Sequence, residues 1–261
     1  MSDTWNARDY AASSTAQETW ANELIEKLSF TGRETLLDIG CGDGKITYRM
    51  AKILGAGRVT GIDRSQNMIE FAAQTFAAPN LDFVQMCATQ IKLCEKYDMA
   101  FSNAALHWVS DHAAVLRSLR ANLKQGARIL LQMGGAGNAA ELFDVIDALI
   151  ASQAWRAYFE DFQFPYTFCD VDYYHELLSS CGYQPRRLEL IPKDMVHADR
   201  SGFVGWLRTT WFPYTERLPT GELREKFLHD LGDAYLRRCP VDTKGQTHVK
   251  MVRLEVEAVA I

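Results

Sequence analysis

The sequence predicts an α/β protein with a doubly wound, mostly parallel sheet of seven strands and a helical cap formed by insertions. Short apolar runs alternate with helical patterns from residue 14 to about 133, as repeated β-α-β units require. Each run ends at a glycine or a polar residue, which is typical of buried parallel strands. A glycine-rich turn follows the first run, at the edge where such sheets bind ligands.

The elements of the first half alternate between strand and helix. Helices are predicted where apolar residues recur at helical spacing, and strands where a short apolar run is bounded by turn residues. In chain order these are helix 14–28, strand 35–39, helix 45–54, strand 58–62, helix 65–76, strand 81–86, strand 97–102, a helix from 111 to about 123 and strand 127–133. Ser65 and Asp111 are the expected N-caps of their helices, since both side chains can accept hydrogen bonds from a first turn.

The second half is less regular. It predicts a helix over 171–180, a strand over 187–191 and, from period-two alternation, a half-exposed strand over 249–261 at or near the sheet edge. We therefore expect a core made of 1–133, 170–192 and 246–261, and a helical substrate cap made of 134–169 and 193–245. About half of the aromatic residues lie in 151–214, and we interpret most of them as the core of the cap and a few as the lining of an apolar pocket.

Composition excludes several classes of function. The 261 residues carry a net charge of −5, which disfavours nucleic acid as a partner. There is no apolar run of about 18 residues and no apolar signal segment at the polar N-terminus, so we expect a cytoplasmic protein without a membrane partner. The six cysteines lack metal-site spacing, and we expect buried thiols, no bound metal and a monomer or weak dimer with a small-molecule substrate.

The strongest local motif is the turn from Asp38 to Gly44, with glycines at positions 40, 42 and 44. Such a turn between a strand and a helix lets a ligand contact the backbone. The third glycine comes one residue too early for a dinucleotide fingerprint, and there is no phosphate-binding G-K-S/T. Asp63 ends the second strand, where a carboxylate can accept both hydrogens of a ribose diol. The pattern predicts a nucleoside site.

These motifs resemble those of class I S-adenosylmethionine-dependent methyltransferases. The matching residues are Asp38–Gly44, Val59–Asp63 with Met68, and Phe101–Trp108. Within that superfamily the chain is similar to the trans-aconitate methyltransferase group, through Trp5-Asn6, Tyr10, the Ser102–Trp108 stretch with Asp111-His112, and the 218–258 tail. The middle resembles juvenile hormone acid methyltransferases, through Trp155, Tyr158, Asp161, Phe164-Pro165-Tyr166 and Trp211-Phe212-Pro213.

The resemblance implies S-adenosylmethionine as cofactor, with S-adenosylhomocysteine as product. Asp38 would help to hold the methionine ammonium, Asp63 the ribose hydroxyls, and Met68 would pack near the adenine. Many relatives have an acidic residue after the third strand, whereas this chain has Cys87. The residues implied to bind the cofactor are Asp38, Gly40, Cys41, Gly42, Asp63, Arg64, Met68, Cys87, Ala88 and Asn103.

The acceptor atom decides whether the enzyme needs a base. A carboxylic acid, with a pKa of about 4, is ionised at neutral pH and needs only donors that orient one oxygen toward the methyl group. Gln17 and Trp108 match the glutamine and tryptophan that hold the carboxylate in similar carboxyl methyltransferases, and His107 is a candidate base for a hydroxyl or amine. Candidate substrate contacts are Gln17, Trp108, Tyr166, Trp206 and Trp211.

We therefore predict O-methylation of the carboxylate of a small organic acid, apolar-bodied or polycarboxylic, to a methyl ester. The aromatic density favours one carboxylate on an apolar body, whereas a polyanion would need cations such as Arg208 or Arg253. The alternative is methyl transfer to a hydroxyl, amine or carbon of a small metabolite. Two hypotheses come from other functional classes. One is an NAD-binding oxidoreductase, which the glycine spacing disfavours, and the other is a non-catalytic nucleoside-binding module.

Overall fold

The computed structural model describes residues 15–261, with side chains from residue 20 onward. It consists of two compact units. Unit 1 contains the described residues up to Ala136 together with Thr167–Ile191 and Arg253–Ile261, and unit 2 contains Gly137–Tyr166 and Pro192–Val252. That unit 2 serves as a substrate cap stays a prediction.

The elements alternate as the sequence predicts. The strands are β1 (Thr35–Ile39), β2 (Arg58–Asp63), β3 (Leu81–Gln85), β4 (Tyr97–Asn103), β5 (Leu123–Gly134), β6 (Tyr183–His197) and β7 (Thr247–Ala260). The α-helices are α1 (Thr15–Lys27), α2 (Lys45–Ile53), α3 (Gln66–Thr75), α4 (His112–Ala121), α5 (Ala140–Ile150), α6 (Val171–Ser180), α7 (Arg200–Thr210), α8 (Phe212–Glu216) and α9 (Gly221–Arg238). Short 3₁₀ turns cover Ala88–Gln90, Leu106–Trp108 and Arg156–Tyr158.

The seven strands form one sheet in the order β3-β2-β1-β4-β5-β7-β6. Strands β1 to β5 pair in parallel, and β7 pairs with β5 in the antiparallel direction. The predicted doubly wound, mostly parallel fold is confirmed. Because β1 lies between β2 and β4, the strand order reverses there, and ligands of such sheets bind beyond the carboxyl ends at this reversal.

Apolar side chains cover both faces of the sheet in unit 1. On one face α1 and α2 pack through Leu24, Leu28 and Met50. On the other face α4 and α6 pack through side chains such as Leu116 and Tyr174. β1 is buried at every position after Thr35, and three of its five residues are apolar, as expected for a strand covered on both faces. The predicted N-caps are also confirmed, because Ser65 Oγ accepts from the Met68 N–H and the Asp111 carboxylate from the Ala114 N–H.

Two strands are longer than the sequence predicts. β5 begins at Leu123 rather than Ala127, because Leu123 pairs with Tyr97 before the register between β4 and β5 shifts. β6 extends on both sides of the predicted 187–191, through Pro185 and Pro192. Proline cannot donate to a ladder, and it is tolerated here because β6 is the edge strand.

The burial predicted for β7 is wrong. The strand lies near the edge as expected, with only β6 outside it, but two of its charged residues are buried: Arg253 is 4% exposed and Glu255 is 1% exposed. Glu255 accepts hydrogen bonds from Lys27 at 2.5 Å and from Arg187 at 2.9 Å, while the Arg253 guanidinium lies 3.7 Å from the centre of the Trp20 ring. Charge pairing and ring stacking therefore replace solvent on this face.

Unit 2 has an aromatic core of its own. Phe227 of α9 contacts Trp155 and Phe159, with ring centres 5.1 and 5.4 Å apart. Phe203 of α7 contacts Tyr235 of α9 at 5.0 Å. This agrees with the interpretation of most aromatics in 151–214 as packing residues. Among the helices of residues 15–261, none combines the length and apolar character needed to cross a membrane.

Candidate functional site

The glycine turn joins the end of β1 to the start of α2. Gly40, Gly42 and Gly44 all have positive φ, at 72°, 54° and 81°. The Gly40 and Cys41 N–H groups donate to the Ile62 carbonyl at 2.8 and 3.0 Å, so the turn is held against β2. A left-handed backbone at three positions within five residues is the reason why this segment is glycine-rich.

Gly40 also allows two strand ends to approach. A Cβ at this position would lie 2.3 Å from the Cβ of Ala105, just beyond β4. At Gly42, in contrast, a Cβ would have no atom within 4 Å. The first glycine is therefore needed for packing, and the second leaves open space beside the backbone.

Asp63 connects the end of β2 to the glycine turn. One carboxylate oxygen accepts from the Gly42 N–H at 3.1 Å and the other from the Ser65 N–H at 2.8 Å. Burial raises the pKa of this carboxyl, and the two backbone hydrogen bonds oppose the rise. Each oxygen still has a second lone pair for a ligand hydroxyl.

Asp38 is buried at the carboxyl end of β1, with 2% of its surface exposed. Its Oδ2 accepts a hydrogen bond from the Thr47 hydroxyl of α2 at 2.7 Å. Burial raises its pKa to about 7; the Thr47 hydrogen bond opposes the rise and the charge of Asp63 adds to it. At neutral pH the free protein holds this carboxyl only partly ionised, and a cation beside it would favour ionisation.

The predicted adenine-side residues follow β2 and β3. Met68 is buried on α3 and Arg64 is exposed, with its carbonyl accepting from Gln85 Nε2 at 3.2 Å. Cys87 and Ala88 are half-buried beyond β3, and the Cys87 sulfur lies 3.2 Å from the Thr89 hydroxyl. Cys41, by contrast, is buried inside the glycine turn, and burial raises the pKa of its thiol.

Two amide oxygens at the ends of β4 and β5 are buried without a donor from the described residues: Asn103 Oδ1 and Gln132 Oε1. These residues are register partners and therefore neighbours on one face of the sheet. Buried acceptors of this kind normally have a partner, so they mark a place where a ligand or water donates. Asn103 was predicted; Gln132 was missed, although a glutamine within the apolar run 129–133 was a signal.

His107 and Trp108 lie in the 3₁₀ turn after β4, and both are half-buried. Their rings are 5.9 Å apart. His107 Nδ1 accepts the N–H of Gly134 at 3.3 Å, which assigns the ring proton of the neutral imidazole to Nε2. Burial lowers the pKa of His107 to about 3, and His112 adds to this effect.

The remaining predicted substrate residues belong to α1 and to unit 2. Gln17 belongs to α1, but its side chain lies outside the described part, as do Trp5, Asn6 and Tyr10. In unit 2, the Tyr166 hydroxyl donates to the Thr210 carbonyl. Trp206 and Trp211 are buried, with ring centres 5.9 Å apart.

Two more residues of the site were missed by the sequence analysis. Thr47 holds Asp38, and the Ser102 hydroxyl donates to the Ile39 carbonyl at 2.8 Å, which ties β4 to β1. Thr47 lies nine residues after Asp38, and only the packing of α2 on β1 brings them together. No local pattern could have identified that pair.

Comparison with known proteins decides the family. A family model for the methyltransferase domain matches residues 31–178, more than half of the chain. This chain belongs to the methyltransferase family. It is an S-adenosylmethionine-dependent enzyme, as the glycine turn and Asp63 led us to expect.

Individual proteins are similar to nearly all of the chain or to about half of it. The trans-aconitate 2-methyltransferase of Enterobacter sp. (strain 638) is 26% identical over 268 residues, covering 96% of each chain. The malonyl-[acyl-carrier protein] O-methyltransferase of Acetivibrio thermocellus is 31% identical over 139 residues, which is 52% of this methyltransferase and 49% of that protein. Among solved structures, the magnesium protoporphyrin IX methyltransferase of Synechocystis PCC 6803 aligns with a TM-score of 0.56 at 14% identity, covering 97% of this chain and 86% of that one.

The residues of this methyltransferase fit a bound S-adenosylmethionine. Open space beside Gly42 leaves room for the ligand along the backbone, and the Asp63 oxygens retain lone pairs. The unpartnered oxygens of Asn103 and Gln132 can accept hydrogen bonds from an ammonium, which donates only. Acceptors for the hydroxyls and the ammonium of the cofactor are thus present at the carboxyl ends of the strands.

Proposed function

We propose that this methyltransferase transfers the methyl group to the carboxylate of a small organic acid and forms a methyl ester. The observation that carries the proposal is the state of His107, the imidazole next to Trp108. Its Nδ1 accepts the Gly134 N–H and its pKa is lowered to about 3, so it is a weak base at neutral pH. A carboxylate needs no base, because it is already ionised.

Hydroxyl and amine acceptors, unlike a carboxylate, require the removal of a proton. They must lose a proton as the methyl group arrives, and a positioned base contributes about 10²–10⁴-fold to such a reaction when its pKa lies near the working pH. Protonating His107 would require charging a desolvated ring whose Nδ1 is already engaged. The imidazole therefore suits a structural role, and an ionised acceptor is the better match.

The two named relatives support an acid as the acceptor. Trans-aconitate is a tricarboxylic acid, and a malonyl group ends in a carboxylate. Their similarity to this chain is in the range of 26–31% identity. This level of sequence identity supports a carboxylate oxygen as the acceptor atom, and the screen described below identifies the acid.

Roles for the site residues follow from their chemistry. Asp38 and Asn103 would hold the methionine ammonium, Gly40, Cys41 and Gly42 would pass along the methionine moiety, and Asp63 would bind the ribose hydroxyls. The cofactor supplies an activated methyl group on a sulfonium sulfur. Trp108, whose indole N–H only donates, would orient the acceptor carboxylate together with Gln17.

The body of the acid is the second part of the proposal. The aromatic interior of unit 2 supports an apolar body, with Tyr166, Trp206 and Trp211 as contacts. A polyanion would need several free cations. Arg208 of that unit pairs with Glu225 at 2.7 Å, whereas Nη1 of Arg253, in unit 1, has no hydrogen-bond partner among the described residues. On the aromatic interior of unit 2 we favour an apolar-bodied monocarboxylic acid over a polycarboxylic one.

A screen with radiolabelled S-adenosylmethionine tests the proposal. Apolar monocarboxylic acids, di- and tricarboxylic acids, phenols and amines are compared by the formation of labelled product, and base-labile label identifies methyl esters. We expect esters from the apolar acids. Transfer to phenols or amines alone would replace the proposal by the hydroxyl or amine alternative, and turnover of only tricarboxylic acids would overturn the apolar body.

His107→Asn adds a second test. The asparagine oxygen can still accept from the Gly134 N–H, but no basic nitrogen remains. With a carboxylate acceptor the rate should stay within about tenfold of the unmodified enzyme, whereas loss of a general base costs about 10²–10⁴-fold. His175→Asn, on the exposed side of α6, is the matched control.

A further inference from the structure

Three ring nitrogens inside unit 2 are buried without a hydrogen-bond partner among the described residues. They are Nε1 of Trp206, Nε1 of Trp211 and Nε2 of His197. The two tryptophans are only 5% and 2% exposed, so solvent does not replace the missing acceptors. Leaving a buried polar group without a hydrogen-bond partner is unfavourable, which makes three such groups in one place informative.

The three rings form one continuous group, which we call the indole–imidazole group. His197 ends β6, Trp206 lies on α7 and Trp211 precedes α8. The ring centres of His197 and Trp206 are 5.2 Å apart, and those of Trp206 and Trp211 are 5.9 Å apart. Three segments of the chain therefore bring together three neighbouring rings, each with one unpartnered nitrogen.

The surroundings of the group are mainly aromatic. Trp211 contacts the rings of Phe143 and Phe164 at 5.0 and 5.4 Å, and His197 contacts Phe203 at 5.5 Å. These phenyl rings provide no oxygen to accept a hydrogen bond.

Two tyrosine rings also lie beside Trp211, those of Tyr166 at 6.4 Å and Tyr214 at 6.3 Å. Neither hydroxyl forms a hydrogen bond with the nitrogens of the group. The acceptor therefore comes from a molecule other than these neighbours.

The charge of the group defines the kind of acceptor. Indole donates only, and burial lowers the pKa of His197 to about 4, so its ring is neutral at pH 7. Arg208, which lies on α7 like Trp206, is exposed and pairs with Glu225. Burying a carboxylate against neutral donors without a cation is costly, whereas an uncharged oxygen can be bound at little electrostatic cost.

We propose that the indole–imidazole group binds an uncharged oxygen, of a carbonyl, ether or hydroxyl, on the apolar body of the acceptor molecule. The acceptor would then be a carboxylic acid whose hydrocarbon part carries an oxygen function. The identification of this ligand with the methyl acceptor rests on the proposed function. The oxygen site itself rests on the three nitrogens alone.

The direct test observes the indole N–H groups in the complete protein. ¹⁵N-indole spectra are recorded with S-adenosylhomocysteine present, and the six tryptophan signals are assigned by single Trp→Phe variants. The probes are medium-chain oxo fatty acids with the carbonyl at successive positions, and the plain fatty acid of the same length. We expect at least one oxo acid to shift the signals of Trp206 and Trp211 downfield, and the plain acid to leave them in place.

Trp155 provides the internal control. Its indole N–H already donates to Asp230 at 3.1 Å, so its signal should not respond to either acid. The proposal is overturned if no oxo acid moves the signals of Trp206 and Trp211, or if the plain acid moves them equally. Shifted signals without any methyl ester would support the oxygen site and reject the proposed function. Methyl esters without shifted signals would support the proposed function and reject the oxygen site.

Kinetics give a second readout. Trp206→Phe and Trp211→Phe keep an aromatic ring and remove the N–H. For the best oxo acid kcat/KM should fall about three- to tenfold further than it falls for the plain acid, as expected for the loss of one uncharged hydrogen bond. Trp155→Phe should affect both acids equally. Equal losses for both acids in the Trp206 and Trp211 variants would count against an oxygen site.

Discussion

Asp38 illustrates how a single residue links folding to ligand binding. The carboxyl is buried and its pKa is raised from 3.8 to about 7, mainly by desolvation. The unfolded chain ionises near pH 4. Between these values the folded state binds a proton that the unfolded state does not, so this group makes the free protein less stable as the pH rises from about 4 to 7.

A pH dependence of binding follows from the proposed contact with the cofactor ammonium. The ionised carboxylate is the form that would bind the cation, so affinity for S-adenosylhomocysteine should increase about tenfold between pH 6 and 8. Calorimetric titration at several pH values measures it. Asp38→Asn should bind weakly and without this slope, while Asp82→Asn, on the exposed side of β3, should keep it. A flat profile in the unmodified protein would contradict the assignment.

At the scale of elements, the first five strands were predictable and β7 was only partly so. β1 and β2 are short apolar runs with glycine or aspartate at their ends, and local sequence is sufficient to identify them. The alternation of apolar and charged residues in β7 predicted that one face of the strand is exposed to solvent. Which partner covers Arg253 and Glu255 depends on α1 and β6, which are distant in sequence, so burial could not be inferred from the strand itself.

The same limit applies to the candidate site. Asp38, Gly40 and Asp63 follow from their positions at strand ends, whereas the neighbours Thr47 and Gln132 depend on packing and register. The sequence did not predict the contacts of the candidate site that join elements distant in the chain.

The buried carboxylate of β7 yields a stability prediction. Burial opposes ionisation of Glu255, but hydrogen bonds from Lys27 and Arg187 outweigh it and lower its pKa. Glu255→Gln should therefore destabilise the protein by about 1.5–3 kcal/mol at pH 7. Because the pKa is lowered, the difference from the unmodified protein should shrink as the pH falls below about 4. Urea unfolding at both pH values measures this.

Glu257→Gln is the matched control for that change. Glu257 also pairs with Arg187, but 36% of its side chain is exposed, so its removal should cost much less. Equal stability of Glu255→Gln and the unmodified protein at pH 7 would show that the buried pairs contribute nothing net.

At the scale of the whole molecule, the two units differ in their proposed tasks. The proposed cofactor residues all lie in unit 1, and the indole–imidazole group lies in unit 2. A ligand stabilises the part of a protein that binds it, by about 2.7 kcal/mol at one hundred times its Kd. The two units should therefore respond differently to the two ligands.

Scanning calorimetry with S-adenosylhomocysteine tests this division. The cofactor product should raise the melting temperature of the transition that includes unit 1, and any separate transition of unit 2 should stay in place. Asp63→Ala should lose most of the shift, since it removes the proposed diol acceptor and the acceptor of the Gly42 N–H. Asp82→Ala should retain it. A full shift in Asp63→Ala would remove the ribose assignment.

The contact between Gly40 and Ala105 has a consequence for redesign. With only 2.3 Å available to a methyl group at position 40, neither residue can gain volume unless β1 and β4 separate at their carboxyl ends. Libraries that aim at new acceptors should leave these two codons fixed, because even an alanine at position 40 would disturb the donor side before it altered acceptor choice. Diversity is better introduced at Trp206 and Trp211.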